Sequence, residues 1–275
     1  MFQNVMQLNE YYRSRQGRHV AKWLRRHASN FWSGAPNACN AVIGYGAPLL
    51  RVDDLPPRTV FLPARFGGEV WPAKGAGRTV LANSHALPML NVQMDRILLI
   101  HALEFDSDPG HLLDECWRVL DGSGRIMVMV PNRTGLWARA ERTPFGHGRP
   151  FSRRQLRDLL NAHGFAPRTT GTLLFMPPVE LGIVLRFGAQ IERIGRTWSP
   201  GVGGVLFVEA EKMLYAPSGK TQRQRVGGRL KAGALAAATR PTSARQSRYT
   251  KGNPDRQKPL WWQKWLPGGG NVDNG

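Results

Sequence analysis

Short apolar runs alternate with amphipathic segments along most of the chain. The runs predict seven β-strands, over residues 38–43, 58–62, 79–82, 95–100, 124–130, 169–175 and 203–210. Helical spacing predicts helices over Pro109–Leu120 and residues 152–163, where Ser152 suits the N-cap and Gly164 the C-terminal stop. This alternation predicts an α/β fold with a parallel sheet, in which the last two strands could form an antiparallel edge.

The N-terminal segment has a different pattern. Five large side chains among Arg and His predict an amphipathic helix over residues 5–32: Tyr11, Tyr12, Val20, Trp23 and Leu24. We expect this helix to pack on the edge of the domain, and a helix lying on a membrane surface is the alternative. The chain contains no apolar run long enough to span a bilayer, and its first residues are too polar for a secretory signal, which together predict a cytoplasmic protein.

Positive charge is unevenly distributed along the chain. Of its 38 Lys/Arg and 19 Asp/Glu residues, the segment 218–275 holds 12 and 2, among many Gly, Ser, Thr, Gln and Ala. Such a composition cannot bury enough apolar surface to fold, so it predicts a disordered basic tail. The predicted organisation is a helical extension over 1–37, an α/β domain over 38–217 and the tail.

The basic tail predicts partners of its own. Lys and Arg interspersed with aromatic residues could contact nucleic acid non-specifically, through phosphates and stacked bases. An anionic membrane surface is the alternative partner, contacted through Trp261, Trp262 and Trp265. The two cysteines, Cys39 and Cys116, are predicted to be reduced core thiols, and no metal site is predicted.

A glycine pair closes the first predicted strand. Gly44-Tyr45-Gly46 would let backbone approach a ligand closely, and the N-terminus of a following helix would favour its polar or anionic groups. A lone Gly-x-Gly is also a common plain turn. Its position after the first strand of an α/β series gives the ligand interpretation more weight.

Several longer blocks resemble one enzyme family. They read ANSHALPM over 82–89, MDRILLIHALEF over 94–105, LDECWRVLDGSGRIMVMVPN over 113–132 and RPFSRRQLRDLLNAHGF over 149–165. In this order they resemble the S-adenosylmethionine (SAM)-dependent methyltransferases of type 11, over about residues 38–212. The resemblance implies a class I, Rossmann-like seven-stranded sheet, mostly parallel with an antiparallel last strand, and SAM bound across the carboxyl ends of the strands.

The resemblance also implies which residues meet the cofactor. Gly44, Tyr45 and Gly46 would border its methionine and ribose part, and Asn83 would accept a hydrogen bond from the adenine amino group. The remaining implied contacts are Ser84 and His85 beside the adenine, the apolar pair Ala86 and Leu87, and His101 near the methyl group.

Three positions depart from the family pattern. Val42 replaces an acid before the glycines, Pro48 replaces a third glycine, and residues 60–64 at the second strand lack a carboxylate, the next acid being Glu69. Each lost charged hydrogen bond to a ligand costs about 1.5–3 kcal/mol. Three hypotheses therefore stay open: an active methyltransferase with an unidentified acceptor, a catalytically inactive methyltransferase-like binding or regulatory protein, and a nucleic-acid-binding protein that acts through its tail.

No fixed catalytic residue is predicted. SAM supplies the electrophile, so the protein mainly positions the acceptor. The acceptor-side candidates are His101, His147 and Arg149, with the segment 137–149 as a candidate lid. A structural or site-lining role is the alternative for His101 and for His85. Glu104 is expected to support a local helix end rather than act as a base.

Overall fold

The computed structural model describes residues 4–33, 38–51, 58–198 and 201–214, and the statements below concern these residues. The predicted tail over 218–275, with its three tryptophans, lies outside the described residues. Part of the predicted boundary between extension and domain, residues 34–37, also lies outside them.

A seven-stranded sheet forms the centre of the fold. Its strands are β1 (Asn40–Gly44), β2 (Arg58–Pro63), β3 (Thr79–Ala82), β4 (Met94–Ile100), β5 (Leu120–Pro131), β6 (Phe165–Leu173) and β7 (Val205–Lys212). The spatial order is β3-β2-β1-β4-β5-β7-β6. Neighbouring strands from β3 to β5 pair in parallel, whereas β7 runs antiparallel to both β5 and β6. The predicted fold, a mostly parallel sheet with an antiparallel last strand, is confirmed.

Helices cover both faces of this sheet. On one face, α3 (Pro109–Val119) and α4 (Arg153–Ala162) pack against apolar side chains of the central strands. Ser152 caps the start of α4, as the sequence predicts, and also forms a reciprocal capping box with Gln155. The central strands are buried on both sides, which explains why Ala41–Ile43 in β1 and Ile97–Ile100 in β4 are continuous apolar runs rather than alternating ones.

The N-terminal segment packs on the opposite face as two helices. The predicted single helix divides at Ser14 into α1 (Val5–Arg13) and α2 (Arg15–Trp32). Ser14 has extended backbone angles, and its side chain accepts a hydrogen bond from the Gly17 amide at 2.9 Å, which caps α2. Leu8 and Leu24 belong to the apolar cluster on this face of the sheet.

Two further features differ from the sequence expectations. Helices α5 (Gly182–Arg186) and α6 (Gly188–Trp198) follow β6, and the sequence did not predict them because their glycines and exposed apolar residues obscure the helical period. A short 3-10 turn over Ala47–Leu49 stands where a helix was expected after the glycine pair, and extended backbone at Leu50 ends it. No described helix combines the length and apolarity needed to cross a bilayer.

Candidate functional site

The glycine pair lies at the carboxyl end of β1, where the protein packs closely against itself. Gly44 has φ of 97°, and a Cβ added there would lie 2.0 Å from the Ile100 carbonyl oxygen. A Cβ at Gly46 would lie 2.2 Å from Cγ1 of Val42. Both glycines are therefore required by internal contacts, which the sequence interpretation of ligand approach did not include.

Val42 has a packing reason for replacing the expected acid. Its side chain is fully buried in the apolar cluster beneath α1 and α2. An ionised carboxylate at this position would lose its hydration without gaining a partner, at a cost of several kcal/mol. An apolar residue at position 42 thus suits the packing of the N-terminal helices over this part of the sheet.

A buried hydrogen-bonded network follows β4. His101 is fully buried, with φ of 50°, a left-handed conformation that histidine tolerates better than most residues. Its Nε2 lies 2.7 Å from the hydroxyl of Tyr12 on α1, and its Nδ1 lies 3.2 Å from Oε1 of Glu104. A carboxylate only accepts, so Nδ1 carries the proton and Nε2 accepts from the tyrosine. The pKa of Tyr12 is raised well above its usual range, mainly by burial and to a lesser extent by the neighbouring Tyr11. The Tyr12 hydroxyl therefore keeps its proton and donates it in this hydrogen bond.

One carboxylate oxygen of Glu104, next to this network, is buried without a hydrogen bond from the described residues. Its side chain is 1% exposed, and Oε2 has no hydrogen-bond partner among the described residues. The expectation that Glu104 supports a helix end is wrong, because it lies in a turn and contacts His101 instead. An orphaned buried carboxylate oxygen is costly, so this point suits a ligand that donates a hydrogen bond or carries positive charge.

The loop after β3 places the predicted adenine-side residues at the same edge of the sheet. Asn83 and Ala86 are exposed and form an isolated bridge, Ser84 and Leu87 are buried, and His85 is half-buried. The Asn83 Oδ1 accepts the His85 amide at 2.9 Å, so the amide oxygen expected to face adenine already has one local partner. A carbonyl oxygen can accept a second hydrogen bond.

His85 belongs to a cluster that sequence reasoning missed. Its Nε2 lies 2.8 Å from Oδ1 of Asp106, whose side chain is fully buried, and its ring stacks on His111 with centroids 4.8 Å apart. Arg65, just after β2, lies 3.5 Å from the other Asp106 oxygen. Arg65, His85 and Asp106 follow three different strands and His111 lies in the first turn of α3, and only the sheet order brings them together.

A carboxylate also reaches the end of β2 from an unexpected position. Glu69 accepts a hydrogen bond from the Asn9 side chain on α1 and faces Tyr45. The pKa of Tyr45 is raised, mainly by burial and to a lesser extent by Glu69. The Tyr45 ring centroid lies 5.9 Å from that of Tyr12. The strand itself lacks an acid, but the following loop brings one to the same edge of the sheet.

The acceptor-side candidates occupy different surroundings. His147 Nε2 lies 2.6 Å from the Glu141 carbonyl oxygen, and the exposed Arg149 guanidinium lies 6.0 Å from the Phe151 ring centroid. Within the candidate lid over 137–149, it is the buried Phe145 ring that packs 5.1 Å from His101.

Comparison with solved structures identifies the class of fold. A SAM-dependent methyltransferase from Thermotoga maritima matches with a TM-score of 0.52 at 18% identity, over 76% of this chain and 96% of that one. A chain of a Haloferax volcanii complex containing the Trm112 methyltransferase activator matches with a TM-score of 0.53 at 13% identity, over 75% and 97%. Together with the strand order, these matches show that the chain has the class I, Rossmann-like methyltransferase fold.

Sequence-based comparisons find no relative. No family model matches the chain, and no curated protein matches it. The resemblance to type 11 methyltransferases therefore stays a prediction at the level of the family, while the class of fold is shown.

Proposed function

We propose that this chain binds SAM at the carboxyl edge of β1 to β4 and transfers its methyl group to an acceptor. The observation that carries the proposal is the unpartnered Oε2 of Glu104, buried at that edge of a class I methyltransferase sheet. SAM carries positive ammonium and sulfonium groups, which suit a desolvated carboxylate oxygen.

Other residues at this edge fit the rest of the cofactor. Glu69 supplies a carboxylate suited to ribose hydroxyls, and Asn83 supplies an exposed amide for the adenine edge. Leu87 offers apolar surface in the same loop. Residues from neighbouring loops thereby supply part of the polar contacts that the acids missing at Val42 and in β2 would make.

When bound, SAM supplies an electrophilic methyl group, and the described residues position the acceptor and hold protons. Glu104 orients His101 so that Nε2 is unprotonated and can accept a proton. In this structure the Tyr12 hydroxyl is hydrogen bonded to that nitrogen. An acceptor that must lose a proton would take the place of the hydroxyl, which makes His101 the candidate general base.

A second function is favoured by a separate observation. The space beside Gly44 and Gly46 is filled by Ile100 and Val42, and Tyr45 is buried, so the glycine pair is explained without a ligand. The alternative is a catalytically inactive methyltransferase-like protein that serves in binding or regulation.

Calorimetry of the full chain with SAM separates these functions. We expect saturable binding, and we expect Glu104→Gln to weaken it about tenfold or more, because a charged hydrogen bond is lost. Asp158→Asn, an exposed carboxylate on α4, is the matched control and should leave the affinity unchanged. Absence of binding by the folded chain at millimolar SAM overturns the enzyme proposal and supports the inactive alternative.

A further inference from the structure

Helix α2 presents a cationic face to solvent. Its 18 residues contain five Lys/Arg and no Asp or Glu. At about 100° per residue, Arg15, Lys22 and Arg26 fall within roughly 40° of one another, opposite the buried stripe that includes Val20 and Leu24. The apolar stripe fixes the helix on the sheet, so the cationic face is held outward.

A groove runs beside this face, between α2 and α6. Its cavity measures about 600 Å³. Arg26, Trp23 and His27 line it from α2, and Arg193 and Arg196 line it from α6. The pKa of His27 is lowered to about 4, mainly by burial and to a lesser extent by the positive charge of Arg196. The imidazole is therefore neutral at pH 7, and the arginines carry the charge of the groove.

Four of these cations have no carboxylate partner among the described residues. Arg15, Lys22, Arg26 and Arg193 form no ion pair with another described residue. The groove's carboxylate, Glu192, is buried, and it accepts the Met176 amide at 3.2 Å. Arg26 and Arg193 line the groove, and Arg15 and Lys22 continue the positive charge along the face of α2, which favours an anionic ligand.

The kind of anion follows from what this face lacks. The exposed residues of α2 are Arg15, Arg18, Lys22, Arg26, Ser29 and Asn30, together with the helix terminus, and no large apolar side chain is among them. A helix that lies in a membrane surface needs an apolar face. The exposed Ile194 and Trp198 of α6 lie on the other flank of that helix from Arg193 and Arg196, so they do not supply one.

We propose that the α2 face and the α2–α6 groove bind the phosphate backbone of a nucleic acid. The rise of 1.5 Å per residue separates Arg15 from Arg26 by about 17 Å, which spans several successive phosphates of one strand. Trp23, half-buried in the groove, offers a ring on which a base can stack. The segment 218–275 carries 12 Lys/Arg and only 2 Asp/Glu, so it adds to the positive charge of the chain.

The test compares two full-length variants that lose the same charge. Arg15→Ala, Lys22→Ala and Arg26→Ala are combined in one, and Arg153→Ala, Arg154→Ala and Arg157→Ala on α4, across the sheet, in the control. Binding of a 30-nucleotide single-stranded RNA probe is measured by fluorescence anisotropy at several salt concentrations, after matching unfolding midpoints confirm that both variants fold. We expect about tenfold weaker binding for the α2 variant and a salt slope smaller by about two, with little change for the control.

Two further measurements make the outcome decisive. Arg193→Ala should weaken RNA binding by itself, because α6 forms the other wall of the groove. Phosphatidylserine vesicles should bind the α2 variant and the control equally. Equal RNA affinity of the two triple variants overturns the proposal, and so does a loss confined to vesicle binding, which would assign the face to a membrane.

Discussion

At the carboxyl end of β1, Gly44 meets two constraints at once. Its φ of 97° lies in a region that side chains disfavour, and the Ile100 carbonyl occupies the space that a Cβ would need. The sequence could show that a glycine ends this strand. It could not show the carbonyl, because Ile100 belongs to a strand more than 50 residues away that becomes a neighbour only in the folded sheet.

Replacement of Gly44 should therefore be far more damaging than replacement of an unconstrained glycine. We expect Gly44→Ala to lower the free energy of unfolding by more than about 3 kcal/mol, because backbone must shift to relieve the contact. Gly75→Ala is the matched control, since Gly75 has φ of 90° but nothing within 4 Å of its Cβ direction. Denaturant unfolding measures both, and equal losses would contradict the role assigned to the Ile100 carbonyl.

Among the elements, the corner between α1 and α2 shows how local chemistry places a functional side chain. Ser14 ends one helix and caps the next, and a Cβ at Gly17 would lie 2.0 Å from the Tyr11 carbonyl oxygen. The corner sets the direction of α1, and with it the position of Tyr12 against His101. The periodicity of residues 5–32 suits one helix as well as two, so the pattern alone did not reveal the corner.

Loss of the cap should have a measurable cost. We expect Ser14→Ala to lower the unfolding free energy by about 1 kcal/mol, because the Gly17 amide loses its acceptor. Ser29→Ala is the control: Ser29 lies within the same helix, is exposed, and donates to the Arg25 carbonyl. That change should fall within about 0.5 kcal/mol of zero, and similar effects of the two substitutions would argue against the cap.

The packing of α2 against α6 predicts a pH dependence. His27 has a pKa of about 4 in the fold, against 6.5 for an exposed histidine. As the pH falls below 6.5 the unfolded chain takes up the proton first, so the stability present above pH 6.5 is lost progressively towards pH 4. We expect the unfolding free energy of His27→Gln to fall less steeply than that of the unmodified chain between pH 7 and pH 5, and parallel curves would contradict this.

On the scale of the whole molecule, charge and core are distributed differently. The two apolar clusters on the faces of the sheet are formed by residues between Val5 and Ala210, whereas 10 of the 19 excess positive charges belong to residues 218–275. We expect a chain ending at residue 217 to keep its cooperative unfolding, with a net charge of +9, since 26 Lys/Arg and 17 Asp/Glu remain. Its RNA binding should fall overall but remain sensitive to the α2 substitutions. Loss of cooperative unfolding in calorimetry would show that the tail is needed for the fold.

The sequence by itself determined the strands, the main helices and the class of fold. Continuous apolar runs such as Ile97–Ile100 leave few structures other than a buried parallel sheet, and Ser152 and Gly164 bracket a helix through backbone chemistry that acts within a few residues. These signals are local, so they can be interpreted along the chain. The resemblance to a known family, rather than these signals, predicted cofactor contacts after β1, β3 and β4.

Only the tertiary structure decided how the site is composed. The contacts of His101 with Tyr12, of His85 with Asp106 and of Glu69 with Asn9 join residues from different elements, and no spacing in the sequence encodes them. The same holds for the groove, because α6 was not predicted and its arginines meet those of α2 only after both helices dock on the sheet. Local pattern fixes which elements form, whereas burial and docking fix which side chains meet.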